Sequence, residues 1–123
     1  MARILVADDD AEILTVVGDL LSLHGHEVTL ACDGAEAVEK LKKAPYDLLV
    51  IDRAMPRLDG LQAIRILRSA PAFKALRIVM LTSANVTKEI DEAFAAGADG
   101  YVLKPLNIGA FLARVAKALA PRG

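Results

Sequence analysis

The chain has 123 residues, 54% hydrophobic and 4% aromatic, with a formal net charge of -1. That is enough chain for one domain with a substantial core, and too apolar for general disorder. The charge balance offers no basic field for nucleic acid, the few aromatics offer no base-stacking surface, and the single cysteine, Cys32, allows neither an internal disulfide nor a two-cysteine metal clip.

Arg3 to Ala7 (RILVA) reads as a first buried strand, with Asp8, Asp9 and Asp10 directly after it. These acids cut the N-terminal apolar run too short for a signal peptide or a membrane span, so a soluble, cytoplasmic protein is expected. A helix is predicted from about Ala11 to His24, carried by Ile13, Val16, Val17, Leu20, Leu21 and Leu23, with Gly25 at its end. Glu27 to Leu30 is a short strand. Asp33 and Glu36 have capping-box spacing and open a helix with Ala37, Val38 and Leu41 inward. Leu48 to Ile51 are consecutive bulky apolar residues, the pattern of a strand buried on both faces. Asp52 follows directly, and Pro56, which has no N–H, prevents the strand from continuing.

Asp59 and Gln62 form a second capping-box pair, starting a helix through Ile64, Leu67 and Arg68. Ala70 to Leu76 is a loop broken by Pro71. Arg77 to Leu81 (RIVML) is a fourth strand, ending at Thr82 and Ser83. Thr87 to Ala96 is a short helix closed by Gly97. Gly100 to Leu103 (GYVL) is a fifth strand, ending at Lys104-Pro105. Asn107 caps a last helix with Ile108, Phe111, Leu112, Val115 and Leu119 on one face.

Strands alternating with helices imply an α/β fold, a parallel sheet with helices on both faces. In such a sheet the carboxyl ends of all strands lie along one edge. Asp8, Asp9, Asp52, Thr82 and Lys104 are therefore expected to face one crevice. Carboxylates that close repel, so the cluster needs a cation or raised pKa values. Oxygen ligands without His or Cys suit Mg²⁺ or Mn²⁺ rather than zinc. Asp10 is expected to cap the first helix. With such a cation, the positive charge of Lys104 and the hydroxyl of Thr82 meet the needs of a phosphoryl group.

Four motifs in order carry a resemblance: DDD after the first strand, IDRAMPRLDG at the third, MLTS ending the fourth and YVLKP ending the fifth. The chain resembles the receiver domain of bacterial response regulators over essentially its whole length, and a single domain over residues 1–123 is expected. The resemblance implies a three-layer α/β/α sandwich with flavodoxin-like strand order 2-1-3-4-5. It implies that Asp52 is the phosphoacceptor, taking its phosphoryl group from a phosphohistidine of a sensor histidine kinase or a histidine phosphotransfer protein. It makes Asp8 and Asp9 the acidic pair, with Mg²⁺ held by these, Asp52 and the backbone carbonyl of Ala54. Lys104 would pair with the phosphoryl group, and Thr82 and Tyr101 would form the switch. Pro105 stands where the family has a cis peptide, which an X–Pro bond permits at low cost.

The resemblance further implies a signalling switch rather than an enzyme with its own substrate, with intrinsic phosphotransfer and autodephosphorylation. Its output face would be Thr87–Ala96, Tyr101–Leu103 and Asn107–Leu119. That face would meet a downstream protein or the protein's own output domain, as a monomer or a phosphorylation-dependent dimer, with no nucleic acid or membrane contact by this domain. The chain would be either a single-domain regulator or a receiver cut from a longer protein.

Arg53, Ala54 and Asn85 lie at positions that vary within the family and carry no motif, and Ala54 has no polar group to orient water. His24 and His26 have a metal pair's spacing, but Gly25 breaks the helix between them, leaving two surface histidines in a turn. Cys32 reads as a small, partly buried apolar residue. Arg65 and Arg68 read as a solvated helix face. The rival reading is an aspartate-nucleophile phosphohydrolase, on the Asp8-x-Asp10 spacing. Glu12 and the lack of a second acidic pair after the fourth strand count against it. A flavin protein would need a Ser/Thr-rich loop where this chain has DDDAE. A receiver-shaped interaction module that is never phosphorylated would not need the complete acid set.

Overall fold

β1 (Arg3–Ala7) and β3 (Leu48–Asp52) are apolar at almost every position, so both faces of each must be covered. The computed structural model, which describes residues 1–83 and 87–121, covers them with helices on either side. The remaining elements in chain order are α1 (Ala11–Leu23), β2 (Glu27–Ala31), α2 (Gly34–Lys43), α3 (Gly60–Ser69), a short 3-10 turn (Pro71–Phe73), β4 (Arg77–Thr82), α4 (Thr87–Ala96), β5 (Gly100–Leu103) and α5 (Ile108–Leu119). The strands form one parallel sheet in the order β2-β1-β3-β4-β5. The expected α/β/α sandwich and its 2-1-3-4-5 order are both present.

Successive strand residues point to opposite faces, and this divides the interior into two cores. Ile4, Val6, Leu48, Val50, Val79 and Leu81 pack with Val17 and Leu21 of α1 and Phe111 and Val115 of α5. Leu5, Leu49, Ile51, Ile78 and Met80 pack with Leu41 of α2 and Leu61, Ile64 and Leu67 of α3. The chain leaves β1 toward one side for β2 and crosses to the other for β3. The gap between the carboxyl ends of β1 and β3 is thus the switch point at which such sheets bind ligands.

The caps are local and mostly as the sequence predicts. Asp10 caps α1 by accepting the Glu12 and Ile13 N–H groups. Asp59 and Gln62 complete a capping box on α3, and Asn107 caps α5. Asp33 caps α2, but the Glu36 carboxylate takes the Cys32 N–H at 2.6 Å instead of closing the box on Asp33.

Several expectations are corrected. α1 ends at Leu23, and Val16 and Leu23 are 54% and 83% exposed, because only the stripe through Val17 and Leu21 reaches the sheet. Ile108 is likewise exposed, while Phe111 and Val115 carry the buried face of α5. Cys32 is exposed rather than partly buried. His26 is half-buried, and its Nδ1 accepts the Ala2 N–H at 3.2 Å. Burial foremost, then the nearby N-terminal amine and His24, push the pKa of His26 down. His24 Nδ1 donates to the Leu20 carbonyl oxygen, so the two histidines do not converge. Arg68 is not a solvated side chain. It donates to the carbonyls of Gly97 and Phe73 and pairs with Asp99 at 3.1 Å, joining α3 to the turn before β5. No helix among the described residues is long and apolar enough to cross a membrane.

Phe111 is the largest fully buried side chain. Phe111→Ala should lower unfolding free energy by about 3–5 kcal/mol in denaturant titration, through lost transfer energy and a residual cavity. A loss below about 1 kcal/mol would mean that α5 does not hold this face of the sheet.

Candidate functional site

Register brings the first two acids together. Ala7 pairs with Ile51 across β1 and β3, so Asp8 and Asp52 emerge one step further at the same height. Asp8 continues the phase of Ile4 and Val6, and Asp52 that of Leu48 and Val50, which share one core. Asp8 is fully buried and Asp52 is 6% exposed, while Asp9 is exposed. One carboxylate oxygen from each of the three lies within 4.8 Å of the others. Asp10 stays outside this group as the α1 cap, which removes the Asp8-x-Asp10 arrangement of the phosphohydrolase reading.

Lys104 closes the cluster. It follows the last residue of β5, precedes a cis bond to Pro105, and is held by its N–H donating to the Thr82 carbonyl at 2.8 Å. Its ammonium lies 2.9 Å from Asp8 Oδ2 and 3.0 Å from Asp52 Oδ1. Asp8 Oδ1 meanwhile accepts the Asp10 N–H at 2.9 Å, which fixes the start of α1 to the same carboxylate.

The loop after Asp52 is tightly built. The Arg53 N–H donates to the Leu81 carbonyl and the Gly60 N–H donates to the Arg53 carbonyl. A Cβ on Gly60 would collide with the Asp52 carbonyl oxygen, so glycine is what lets α3 start against β3. Arg57 adopts φ 68 and forms an ion pair with the buried Asp33 carboxylate. That pair anchors the loop carrying Ala54 to the start of α2. Nothing in the local sequence announced it, since the partners are 24 residues apart.

Thr82 is buried at the end of β4, opposite Leu103. Tyr101 is half-buried beside Met80, with its ring edge-to-face against Phe94 of α4 at 6.0 Å and 83°. Ala54 is exposed in the loop after β3. Asn85 lies outside the described residues.

The charges are unbalanced. Burial foremost raises the Asp52 pKa; the Lys104 hydrogen bond opposes this, and the charges of Asp8 and Asp9 add to it. For Lys104 burial is the largest single influence and lowers the pKa, but the hydrogen bonds to Asp8 and Asp52 and the charges of both together outweigh it and the pKa is raised. Both shifts are upward, but they favour the charged form of Lys104 and disfavour that of Asp52. Lys104 pairs with two anions, Asp8 and Asp52, whereas Asp52 shares that one cation and faces two more anions, Asp8 and Asp9.

A family profile described as the response regulator receiver domain matches residues 4–116. The chain belongs to the response regulator receiver family. It is 42% identical over 113 residues to the response regulator MprA of Mycobacterium leprae (strain TN), covering 92% of this chain and 49% of that protein. The chain spans about half the length of the curated relatives it matches. The chemotaxis protein CheY4 of Vibrio cholerae superposes with a TM-score of 0.92 at 34% identity, over 97% of this chain and 99% of that one. The receiver domain of sensor histidine kinase PA1611 from Pseudomonas aeruginosa PAO1, solved with a magnesium ion in its active site cleft, superposes at 0.88 with 27% identity, over 96% and 97%. This receiver therefore carries the two-component phosphoacceptor arrangement at the switch point of its sheet, with Asp8, Asp9 and Asp52 forming the acidic pocket.

The raised Asp52 pKa has a definite sign in stability. Between the ordinary value of 3.8 and the folded value, the native receiver binds more protons than the unfolded chain, so stability falls as pH rises through that window. Without divalent cations, Asp52→Asn should be more stable than wild type at neutral pH, with the gap closing as pH falls toward 3.8. Thermal unfolding across this range checks it, and parallel profiles for the two proteins would place the titration elsewhere.

Proposed function

We propose that residues 1–123 form one receiver domain in which Asp52 accepts a phosphoryl group from a phosphohistidine of a sensor histidine kinase or a histidine phosphotransfer protein. The observation that carries this reading is the position of Asp52. It is a nearly buried carboxylate at a strand end, contacted by a lysine and crowded by two further acids. In the transfer an Asp52 oxygen forms the new P–O bond as the phosphohistidine P–N bond breaks, and the leaving imidazole keeps the electron pair.

Mg²⁺ is the cofactor that fits the donor set, since the cluster is oxygen-only and carries more negative charge than Lys104 offsets. Asp8, Asp9, Asp52 and the carbonyl of Ala54 would hold it, and Mn²⁺ has the same ligand preference. When bound, the ion supplies positive charge against the repulsion between an anionic donor and the Asp52 carboxylate. Lys104 stays in contact with the acceptor and would pair with the phosphoryl oxygens. Hydrolysis back to free Asp52 would need water to attack phosphorus as the P–O bond to Asp52 breaks, and the apolar Ala54 side chain offers no group to orient that water.

In the proposed switch, Thr82 turns its hydroxyl toward the phosphoryl group and Tyr101 moves into the volume released, shifting α4 and β5. The aromatic contact of Tyr101 with Phe94 supports such a coupling. The face of α4, β5 and α5 exposes Phe94, Leu103 and Ile108, the apolar surface expected of an output face. Its partner would be a downstream protein, the protein's own output domain or a second phosphorylated copy, in the cytoplasm, with neither nucleic acid nor membrane contacted by this domain.

Acetyl phosphate with Mg²⁺ should place one acid-stable, base-labile phosphoryl group on the peptide containing Asp52. Asp52→Asn should take none while remaining folded, and Asp9→Ala should label slowly because its Mg²⁺ affinity falls by tenfold or more. Undiminished labelling of Asp52→Asn would assign the acceptor elsewhere. The switch is read by the gain in partner affinity on phosphorylation. Thr82→Ala and Tyr101→Ala should each reduce that gain, and the double variant should be hardly worse than either alone. Additive losses would remove the coupling.

A further inference from the structure

Arg53 directly follows the proposed acceptor and touches two parts of the molecule that phosphorylation has to connect. Its backbone is fixed on both sides, by the N–H bond to Leu81 and the carbonyl bond from Gly60. Its side chain borders the open depression at the site together with Asp9, Ala54 and Met55. The guanidinium then reaches α4, where Nη1 donates to the Glu89 carbonyl at 3.2 Å and Nη2 lies 3.9 Å from Glu92 Oε2.

α4 is poorly held by other means. Ala93 is the one buried residue among its ten, against five in α3. A helix with so little apolar anchorage depends more than its neighbours on polar ties, and a charge-assisted bond to its backbone is a strong one. Arg53 follows Asp52 in the chain and borders the same depression, so a new anion at Asp52 would act on it as well as on Lys104. A phosphoryl group brings close to two negative charges and several acceptor oxygens to the adjacent side chain. Guanidinium groups bind such oxygens in preference to a single neutral carbonyl or a distant carboxylate.

Building on the phosphoacceptor reading above, we propose that Arg53 is a charge-operated tie between the acceptor loop and α4. It holds α4 through Glu89 and Glu92 while Asp52 is a bare carboxylate, and transfers to phosphoryl oxygens when Asp52 carries them, releasing α4. Arg53 acts on the output through α4, and is a positioning residue. It acts on the same helix that the proposed Thr82–Tyr101 switch shifts, from the side of the acceptor loop.

The test is hydrogen exchange of the α4 amides, 87–96, in the free and acetyl phosphate-treated protein with Mg²⁺, with peptide masses reporting label on Asp52. In the wild type, phosphorylation should speed exchange in α4. Arg53→Ala should exchange about tenfold faster in α4 without phosphate, the effect of one lost charge-assisted bond, with β1 and β3 protection unchanged. Phosphorylation should then add little. Arg53→Lys, which keeps the charge without the planar fork, should fall between. Glu92→Gln should shift α4 in the same direction by less, and carries the test should Arg53→Ala fail to fold. Unchanged α4 protection in these variants, or a phosphorylation response in Arg53→Ala as large as in wild type, would overturn the tie alone. Absence of label on wild-type Asp52 would overturn the function reading and the tie with it.

Discussion

The ammonium of Lys104 between Asp8 and Asp52 is the interaction on which the rest depends. It joins the ends of β1, β3 and β5 across the middle of the sheet. One of its partners is fully buried, so removing the lysine would leave an uncompensated carboxylate in the interior. Yet it compensates only part of the charge, because Asp9 brings a third carboxylate to the same place. The site is stable enough to fold and anionic enough to need more positive charge. Both properties follow from one lysine among several acids.

The fold forces this crowding. Parallel strands present their carboxyl ends to one edge, and the β1–β3 register sets Asp8 and Asp52 side by side. The hydrogen bond from Asp10 N–H to Asp8 ties the start of α1 to the same carboxylate. The tight start of α3 at Gly60 and the Arg57–Asp33 pair fix the loop on the far side. Asp52 is therefore rigidly mounted, while α4 has a single buried residue, Ala93, to anchor it.

Much of this was legible in sequence. Apolar runs of four or five residues ending in Asp or Thr located β1, β3 and β4, and the caps Asp10, Asp59 and Asn107 were read from local spacing. The convergence of Asp8, Asp9, Asp52 and Lys104 followed from strand–helix alternation, although the strand order came from family resemblance. The misread and the missed residues have common causes. Val16, Leu23 and Ile108 keep helical spacing but fall outside the narrow stripe that meets the sheet. Arg53, Arg57 and Arg68 find partners 24 to 36 residues away, through long side chains that leave no periodic trace. Asp33 was read as a cap alone because its second partner comes from that same distant set.

The most direct measurement of the central claim is the stability of Lys104→Met with and without Mg²⁺. If Lys104 is the internal counter-charge of the acidic cluster, the metal-free variant should lose about 3 kcal/mol. Mg²⁺ should then restore more stability to the variant than it adds to wild type, because three uncompensated carboxylates bind the ion more tightly. A variant as stable as wild type without metal, or an equal Mg²⁺ increment in both proteins, would contradict the account.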